Sequence, residues 1–486
     1  MSALAERIAV VDEPRTLDAL GRLEALFDPG SLHVIRSTVL TRAAGRSTPG
    51  DGVVGGGGTV AGRPVFAYAQ DQSFAGGSLG EVHAATILRV MEQAERACAP
   101  VIGFIASGGA RMDDGVAALA GYGRIFRGNV RMSGRVPQIS VICGVSAGGG
   151  SYSPALTDFV VMTEESAMFL TGPGVVSEVM GEDVDAASLG GPRVHSGNGV
   201  AQLVATDDRG AVELVRALLA YLPSRAGQAL PIAPPVAPPP GDPSGGVPAA
   251  AREVYDVRGV IAGLVDGGDM LEVSERWARN IVTALARIDG RPVGVIANQP
   301  WFLGGVIDAT AAQKAARFVR TCNAFGIPLV VLVDTPGFLP GTRQEEAGVI
   351  RHGAKLLHAF AEAVVPKLTV VLRKAYGGAY ICMNSKDLGA DLALAWPGAE
   401  IGVMAARQAV GVVHRRALAS SPDPEAERDR LAAEYADEHL SAGIAAQQGF
   451  IDEVVLPSET RLRLAAALSA LSEPGRFGNG PGNIPL

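Results

Sequence analysis

Apolar positions along the chain fall into short unbroken runs separated by longer stretches of helical spacing, and this alternation occurs twice. In the first pass, Pro64 to Gln70 reads as a strand. Ser78 and Glu81 then form a capping box that opens an amphipathic helix through about Ala97. Pro100 to Ala106 predicts a buried strand turning at Ser107-Gly108-Gly109, followed by a helix to about Met132. Next come the strand Pro137 to Gly144, a glycine-rich turn at Gly148-Gly149-Gly150, and a further apolar run, Phe159 to Met162. The second pass keeps the order. It reads strand Pro292 to Asn298, helix Ala309 to Ala324, strand Ile327 to Asp334 and turn Thr335-Pro336-Gly337. Helix Glu345 to Ala363, strand Pro366 to Arg373 and turn Gly377-Gly378 complete it.

Pro137 and Pro366 lie 229 positions apart, and so do Gly148 and Gly377. One offset shared by a strand start and a turn predicts an α/β unit present in two copies, built from βαβ crossovers around largely parallel sheets. The run Gly55 to Gly58, between β-like stretches, reads as a hairpin turn. Between the copies, Ser224 to Ala251 carries Pro231, Pro234, Pro235, Pro238, Pro239, Pro240 and Pro243. Proline at that density continues neither a helix nor a central strand and favours an extended linker. Residues 1–223 and 252–486 are therefore expected to form the two domains.

Composition narrows the class. The 486 residues are 48% hydrophobic and 19% charged, as in a well-packed globular protein. The formal charge of -8 argues against a nucleic-acid scaffold. Met1 to Val11 contains Glu6 and Arg7 and no apolar signal core, and no run of about 18 apolar residues occurs, so a cytoplasmic chain away from the membrane is expected. Cys98, Cys143, Cys322 and Cys382 fit neither a metal site nor a disulfide framework and read as reduced, mostly buried thiols.

The two glycine turns have a direct electrostatic meaning. Glycine lets the backbone bend sharply and approach a ligand, and the helix that follows presents unpaired N–H groups at its positive end. Such donors suit an anion or an oxygen that gains charge in a transition state. Other readings compete. Gly144-Val145-Ser146-Ala147-Gly148 satisfies the G-x-S-x-G pattern of a hydrolase nucleophile elbow, but no HGGG-like segment precedes it. Asp334-Thr335-Pro336-Gly337 matches a GTPase-like DxxG, but no phosphate-cradling G-x-x-x-x-G-K-[ST] accompanies it.

Longer strings surround the turns. In the first half they are Asp71 to Leu79, Ser107-Gly108-Gly109-Ala110-Arg111, Pro137 to Val141 and Tyr152-Ser153-Pro154-Ala155. In the second they are Asn298-Gln299-Pro300, Asp334 to Gly341, Ile350 to Lys355 and Arg373 to Tyr380. From about Phe27 to the C-terminus the chain resembles the biotin-dependent acyl-CoA carboxyltransferases, the β subunits of acetyl- and propionyl-CoA carboxylases. The resemblance implies two crotonase-like domains (the ClpP/crotonase fold) and a homohexamer, a trimer of dimers. Active sites would lie between the N-half of one subunit and the C-half of another, acyl-CoA on the N-half and carboxybiotin on the C-half. It implies that Gly148 and Gly149 donate to the thioester oxygen and that Gly378 and Ala379 donate to the biotin ureido oxygen. Gly108, Gly109, Ala110, Tyr152, Gly172, Pro173 and Ile381 become expected substrate contacts, and Arg111, Arg124, Arg127 and Lys374 candidates for the CoA phosphates.

Ile381 stands where propionyl-selective members usually carry aspartate, and Asn483-Ile484-Pro485-Leu486 resembles the ending of members linked to malonyl-CoA supply. Both favour acetyl-CoA, with propionyl-CoA close behind. No biotin-acceptor Met-Lys-Met and no ATP-binding biotin-carboxylase region is seen, so a biotinylated α subunit is the expected partner, and no metal is expected. A decarboxylase subunit of the same architecture and a non-catalytic assembly subunit are the alternatives.

Overall fold

The computed structural model describes residues 16–41 and 49–471, so the readings on Met1 to Val11 and on the last four residues lie outside it. Among the described residues sixteen strands form two mixed sheets. The first sheet holds β1 (His33–Ile35), β2 (Val53–Val60), β3 (Arg63–Gln70) and β4 (Val101–Ser107), with β5 (Gln138–Ala147), β6 (Phe159–Thr163), β7 (Ala167–Phe169) and β8 (Leu203–Ala205). The second holds β9 (Met270–Glu272), β10 (Ile281–Ile288), β11 (Arg291–Asn298) and β12 (Leu329–Thr335), with β13 (Lys367–Tyr376), β14 (Leu392–Ala395), β15 (Glu400–Gly402) and β16 (Glu453–Val454). The spatial order is β1-β2-β3-β4-β5-β6-β8 with β7 beside β5, and β9-β10-β11-β12-β13-β14-β16 with β15 beside β13. In each sheet an antiparallel edge leads into parallel strands joined by helical crossovers. This is the α/β architecture expected from the alternation.

The repeat extends to single hydrogen bonds. β3 and β11 start 228 positions apart (63 and 291), as do β4 and β12 (101 and 329). The Gln70 side chain accepts from Ala106 N–H at 3.2 Å, and Asn298, its counterpart, accepts from Asp334 N–H at 3.3 Å. The register shifts between Ile105 and Ser107, and again between Val333 and Thr335. Central strands carry apolar side chains on both faces, which is why they read as unbroken runs.

Three expectations are corrected. Gly55 to Gly58 is not a turn but the middle of β2, and the hairpin bends at Ala61-Gly62. The glycines are there because both faces are crowded: a Cβ on Gly56 would sit 2.4 Å from the His33 carbonyl, and one on Gly57 would meet the Phe66 ring at 2.7 Å. The capping box does not form, since Gly80 is the N-cap of helix Glu81–Ala97. Carboxylates remote in sequence cap it instead, Asp114 accepting from Glu81 N–H and Asp51 from His83 N–H, each at 2.8 Å. The helix read from Glu345 to Ala363 is two, Thr342–Glu346 and Val349–Glu362, broken where Gly348 takes φ 76°.

Between Tyr221 and Val257 the chain forms neither helix nor strand. It is nevertheless bonded to the second half: Ala233 N–H donates to the Gly290 carbonyl at 3.0 Å, and the Pro248, Ala250 and Ala251 carbonyls accept from Arg373 and Lys374. One apolar core runs across both halves, from Ala19 to Ile451. Arg317 of the second half donates to the Thr157 carbonyl of the first at 3.0 Å. Cys143, Cys322 and Cys382 are buried, whereas Cys98 is exposed.

Candidate active site

Each central strand ends in the same turn. β5 runs into Gly148, φ 57°, which caps the short helix Gly149–Ala155; β13 runs into Gly377, φ 59°, opening helix Gly377–Cys382. A Cβ at either position would force a side chain into the left-handed region that glycine occupies freely. By position Gly148 matches Gly377, Gly149 matches Gly378, and Gly150 matches Ala379. The Gly148 N–H donates to the Phe169 carbonyl at 3.1 Å, so it is already committed. The free first-turn donors of the N-half are those of Gly149 and Gly150, one residue later than expected, and their counterparts are Gly378 and Ala379.

A second loop adjoins each turn. The parallel bridge Leu79↔Ala110 uses the Gly109 carbonyl and the Arg111 N–H, at 2.8 and 2.9 Å from Leu79. In the other half Ile307↔Phe338 uses the Gly337 carbonyl and the Leu339 N–H, at 3.1 and 2.8 Å. The N–H groups of Ala110 and Phe338 stay outside these bridges. Gly109 takes φ 98°, and a Cβ there would be 3.3 Å from the Ala147 carbonyl, so the loop lies against the turn. Phe338 was missed in the sequence, although adding the repeat offset to Ala110 leads to it.

The surroundings of the two turns differ. Behind Gly149 stands Tyr122, whose ring carbons lie 2.7 Å from where a Cβ would be. Its hydroxyl pairs with Ser107 at 3.3 Å, and burial pushes its pKa up. Tyr122, Phe126 and the half-exposed Tyr152 form a chain of ring contacts. Gly172 and Pro173 open helix Pro173–Met180, which has no buried residue, with Val175, Val179 and Met180 exposed. The C-half turn instead opens onto a cleft of about 730 Å³, lined by Gly377, Gly378, Tyr380, Ile381, Val403 and Phe450 among others. Tyr435 and His439 on helix Pro424–His439, their rings tilted against each other with centroids 4.7 Å apart, form another part of its wall. That helix reads as a solvated charged segment, so nothing in its pattern announces a wall. All lining residues fall between Gly377 and Phe450, that is, in the second half alone.

Two phosphate candidates are otherwise engaged. Arg111 is buried, paired with Asp51 at 2.6 Å and lying over the Phe74 ring. Lys374 is buried beside Asp334, and desolvation pulls its pKa down against that carboxylate. Arg124 and Arg127 lie exposed on helix Val116–Met132. Ser146 is fully buried with no hydrogen-bond partner on its hydroxyl, so no base activates it as a hydrolase nucleophile. Asp334 of the DxxG string is sealed in an ion pair with Arg373. Among the described residues no group of three or more His, Cys, Asp or Glu could hold a metal, and no helix is long and apolar enough to cross a membrane.

Comparison with known proteins agrees with this geometry. Residues 16–478 match the carboxyl transferase domain family. The chain is 47% identical to the propionyl-CoA carboxylase β chain of Saccharopolyspora erythraea, covering 96% of this chain and 90% of that one. It is 44% identical to the methylmalonyl-CoA decarboxylase α subunit of Veillonella parvula, covering 97% and 93%. A solved transcarboxylase 12S hexamer with methylmalonyl-CoA and methylmalonic acid bound superposes with a TM-score of 0.91 at 46% identity, over 94% of this chain and 89% of that one. The chain belongs to the carboxyl transferase family, the biotin-dependent acyl-CoA carboxyltransferases.

Proposed function

We propose that the chain transfers a carboxyl group between biotin on a separate carrier subunit and a short acyl-CoA, acetyl- or propionyl-CoA. Residues 1–223 would receive the CoA ester and 252–486 the biotin, with 224–251 joining them. The observation that carries this reading is the pair of equivalent turns. A proton leaving the carbon next to a thioester puts negative charge on the thioester oxygen, where Gly149 and Gly150 would donate, with Ala110 alongside. Gly378 and Ala379 would donate to the ureido oxygen, with Phe338 alongside. Fixed amide donors of this kind lower a barrier by about 3–4 kcal/mol each. Carboxybiotin supplies the carboxyl group and a ring nitrogen able to take the proton, so no side-chain base is needed. The cleft suits that ring: apolar side chains such as Ile381, Leu388, Ile401, Val403, Leu440 and Ile444 line it, with Ser385, Asp387, Gln448, His439 and the Tyr380 and Tyr435 hydroxyls as its polar groups.

The cleft contains no N-half residue, and helix Pro173–Met180 has no buried face. Both observations support completion of the site by a second copy within a hexamer. Ile381, half exposed in the cleft, would border the acyl group and favour no charged partner. The test is a steady-state comparison of acetyl-, propionyl- and butyryl-CoA with the chain, a biotinylated α subunit, ATP and bicarbonate. Carboxylation of the first two, each within about tenfold of the other, is expected, because one pocket residue rarely discriminates by more than about 1–3 kcal/mol. Failure with all three would refute the reading. The similarity to a decarboxylase subunit favours one second reading, the same transfer run from carboxylated CoA to biotin. Rapid release of propionyl-CoA from methylmalonyl-CoA, without net carboxylation in the reconstituted complex, would select it.

A further inference from the structure

Beneath the C-half turn lies a buried charge network whose matching positions in the N-half are uncharged. Asp334 at the end of β12 is fully buried and accepts from Arg373 Nε at 3.0 Å, with Lys374 Nζ 3.7 Å from its other oxygen. Both cations are buried as well, and they also donate to the carbonyls of Pro248, Ala250 and Ala251 at 2.9–3.2 Å. Lys374 is the register partner of Glu400 on β15. Glu400 in turn accepts a hydrogen bond from the hydroxyl of Tyr376, the last residue before Gly377. In the N-half the matching positions are Ala106 for Asp334, Gly144 for Arg373, Val145 for Lys374, Ala147 for Tyr376 and Ala167 for Glu400, and Val145 pairs with Ala167 in the same register.

The two turns have the same backbone, so the network is not what folds the turn. Burying these groups costs more than the apolar packing that serves the N-half. What the network adds is position and charge. Tyr376 is tied through its side chain to β15 at Glu400, and three residues further on the Val403 carbonyl lies 3.1 Å from where a Cβ on Gly377 would be. The turn is thus held on one side by a side-chain bond and on the other by the backbone that the same strand delivers. In a buried setting such linked bonds polarise one another.

We propose that Asp334, Arg373, Lys374, Glu400 and Tyr376 form a positioning network that holds the C-half donor turn for the charge developing on the ureido oxygen, with the Tyr376–Glu400 bond as its last link. The inference rests on the function proposed above. It is tested on the chain in its own assembly, with methylmalonyl-CoA as carboxyl donor and free biotin as acceptor. The carbon–carbon bond to the carboxyl breaks, a nitrogen–carbon bond to biotin forms, and the ureido proton passes to the α-carbon, releasing propionyl-CoA.

Tyr376→Phe and Glu400→Leu should each lower kcat by about tenfold, the loss of one hydrogen bond to a charged group. The KM for methylmalonyl-CoA should stay within about twofold, and the double variant should lose no more than the worse single one, because both changes cut one link. Wild-type kcat in Tyr376→Phe, a rise in the CoA-ester KM equal to the fall in kcat, or losses that multiply in the double variant would each overturn the network. Tyr376→Phe removes a single oxygen and decides the matter if Glu400→Leu fails to assemble. An unmodified chain that releases no propionyl-CoA would instead refute the proposed function, which keeps the two failures apart.

Discussion

The N-half and C-half turns share a backbone and differ in what stands behind them. At Gly149 the space is filled by the Tyr122 ring, held by its hydroxyl against Ser107. At Gly378 the nearest atom to a new Cβ would be the Phe338 ring at 3.9 Å, an ordinary contact, and the turn faces an open cleft. Ion pairs follow the same division. In the N-half Asp51 and Arg111 brace the loop before the turn, while Arg22, paired with Asp208, reaches the Cys143 carbonyl of β5 from outside the strand; in the C-half Asp334, Arg373 and Lys374 stand on the strands themselves. The two copies therefore share the backbone of the turn and differ in the packing behind it.

The largest expected effect tests that difference directly. Gly149→Ala should drop kcat/KM for carboxyl transfer by about 10²–10³-fold, because the Cβ overlaps a ring that cannot retreat and the donor pair must move. Gly378→Ala meets nothing closer than 3.9 Å and has no positive φ to violate, so its loss should stay below about tenfold. Equal losses would break the comparison.

A smaller effect concerns a bond made in both halves. Asp158 accepts from Gln138 N–H at 2.9 Å, and Asp391 accepts from Lys367 N–H at 2.8 Å. Asp391 is exposed, but Asp158 is buried where the halves meet, and desolvation pushes its pKa up to about 7 against the pull of Gln138 N–H and Arg317. A carboxyl whose folded pKa is raised contributes most below its unfolded value, and the contribution is lost as pH rises through about 7. Asp158→Asn keeps an acceptor for Gln138 and removes the charge. It should raise Tm at pH 8 by about 2–4 °C, with the gain fading by pH 5, in paired thermal melts. A gain equal at both pH values would show that burial of the charge is not its source.

Much of this was legible in the sequence. The central strands stand out because both their faces are buried, and the duplication because glycine must recur wherever the chain bends to φ near +60°. What was hidden depends on atoms distant along the chain. The glycines of β2 look like a turn to any local rule, and it is Val90, His33, Phe66 and Phe27, all outside the run, that explain them. Helix Glu81–Ala97 takes its caps from Asp114 and Asp51, so its own Ser78 was a decoy. Around the site, local sequence gave no sign that the Gly148 N–H is taken by the Phe169 carbonyl, an atom that another strand delivers. Arg111 and Lys374 resemble phosphate ligands in a string of letters, yet each faces a buried carboxylate.

The account depends on one copy's N-half turn working with another copy's C-half turn, and pairing two disabled chains tests that claim most directly. Co-expressed Gly149→Ala and Gly378→Pro variants, each inactive alone, should recover on the order of a quarter of the unmodified rate. Random pairing gives that fraction because a mixed pair contains one site with both turns intact. Recovery at that level is the predicted result. Mixed assemblies that form but stay as inactive as either parent would contradict it.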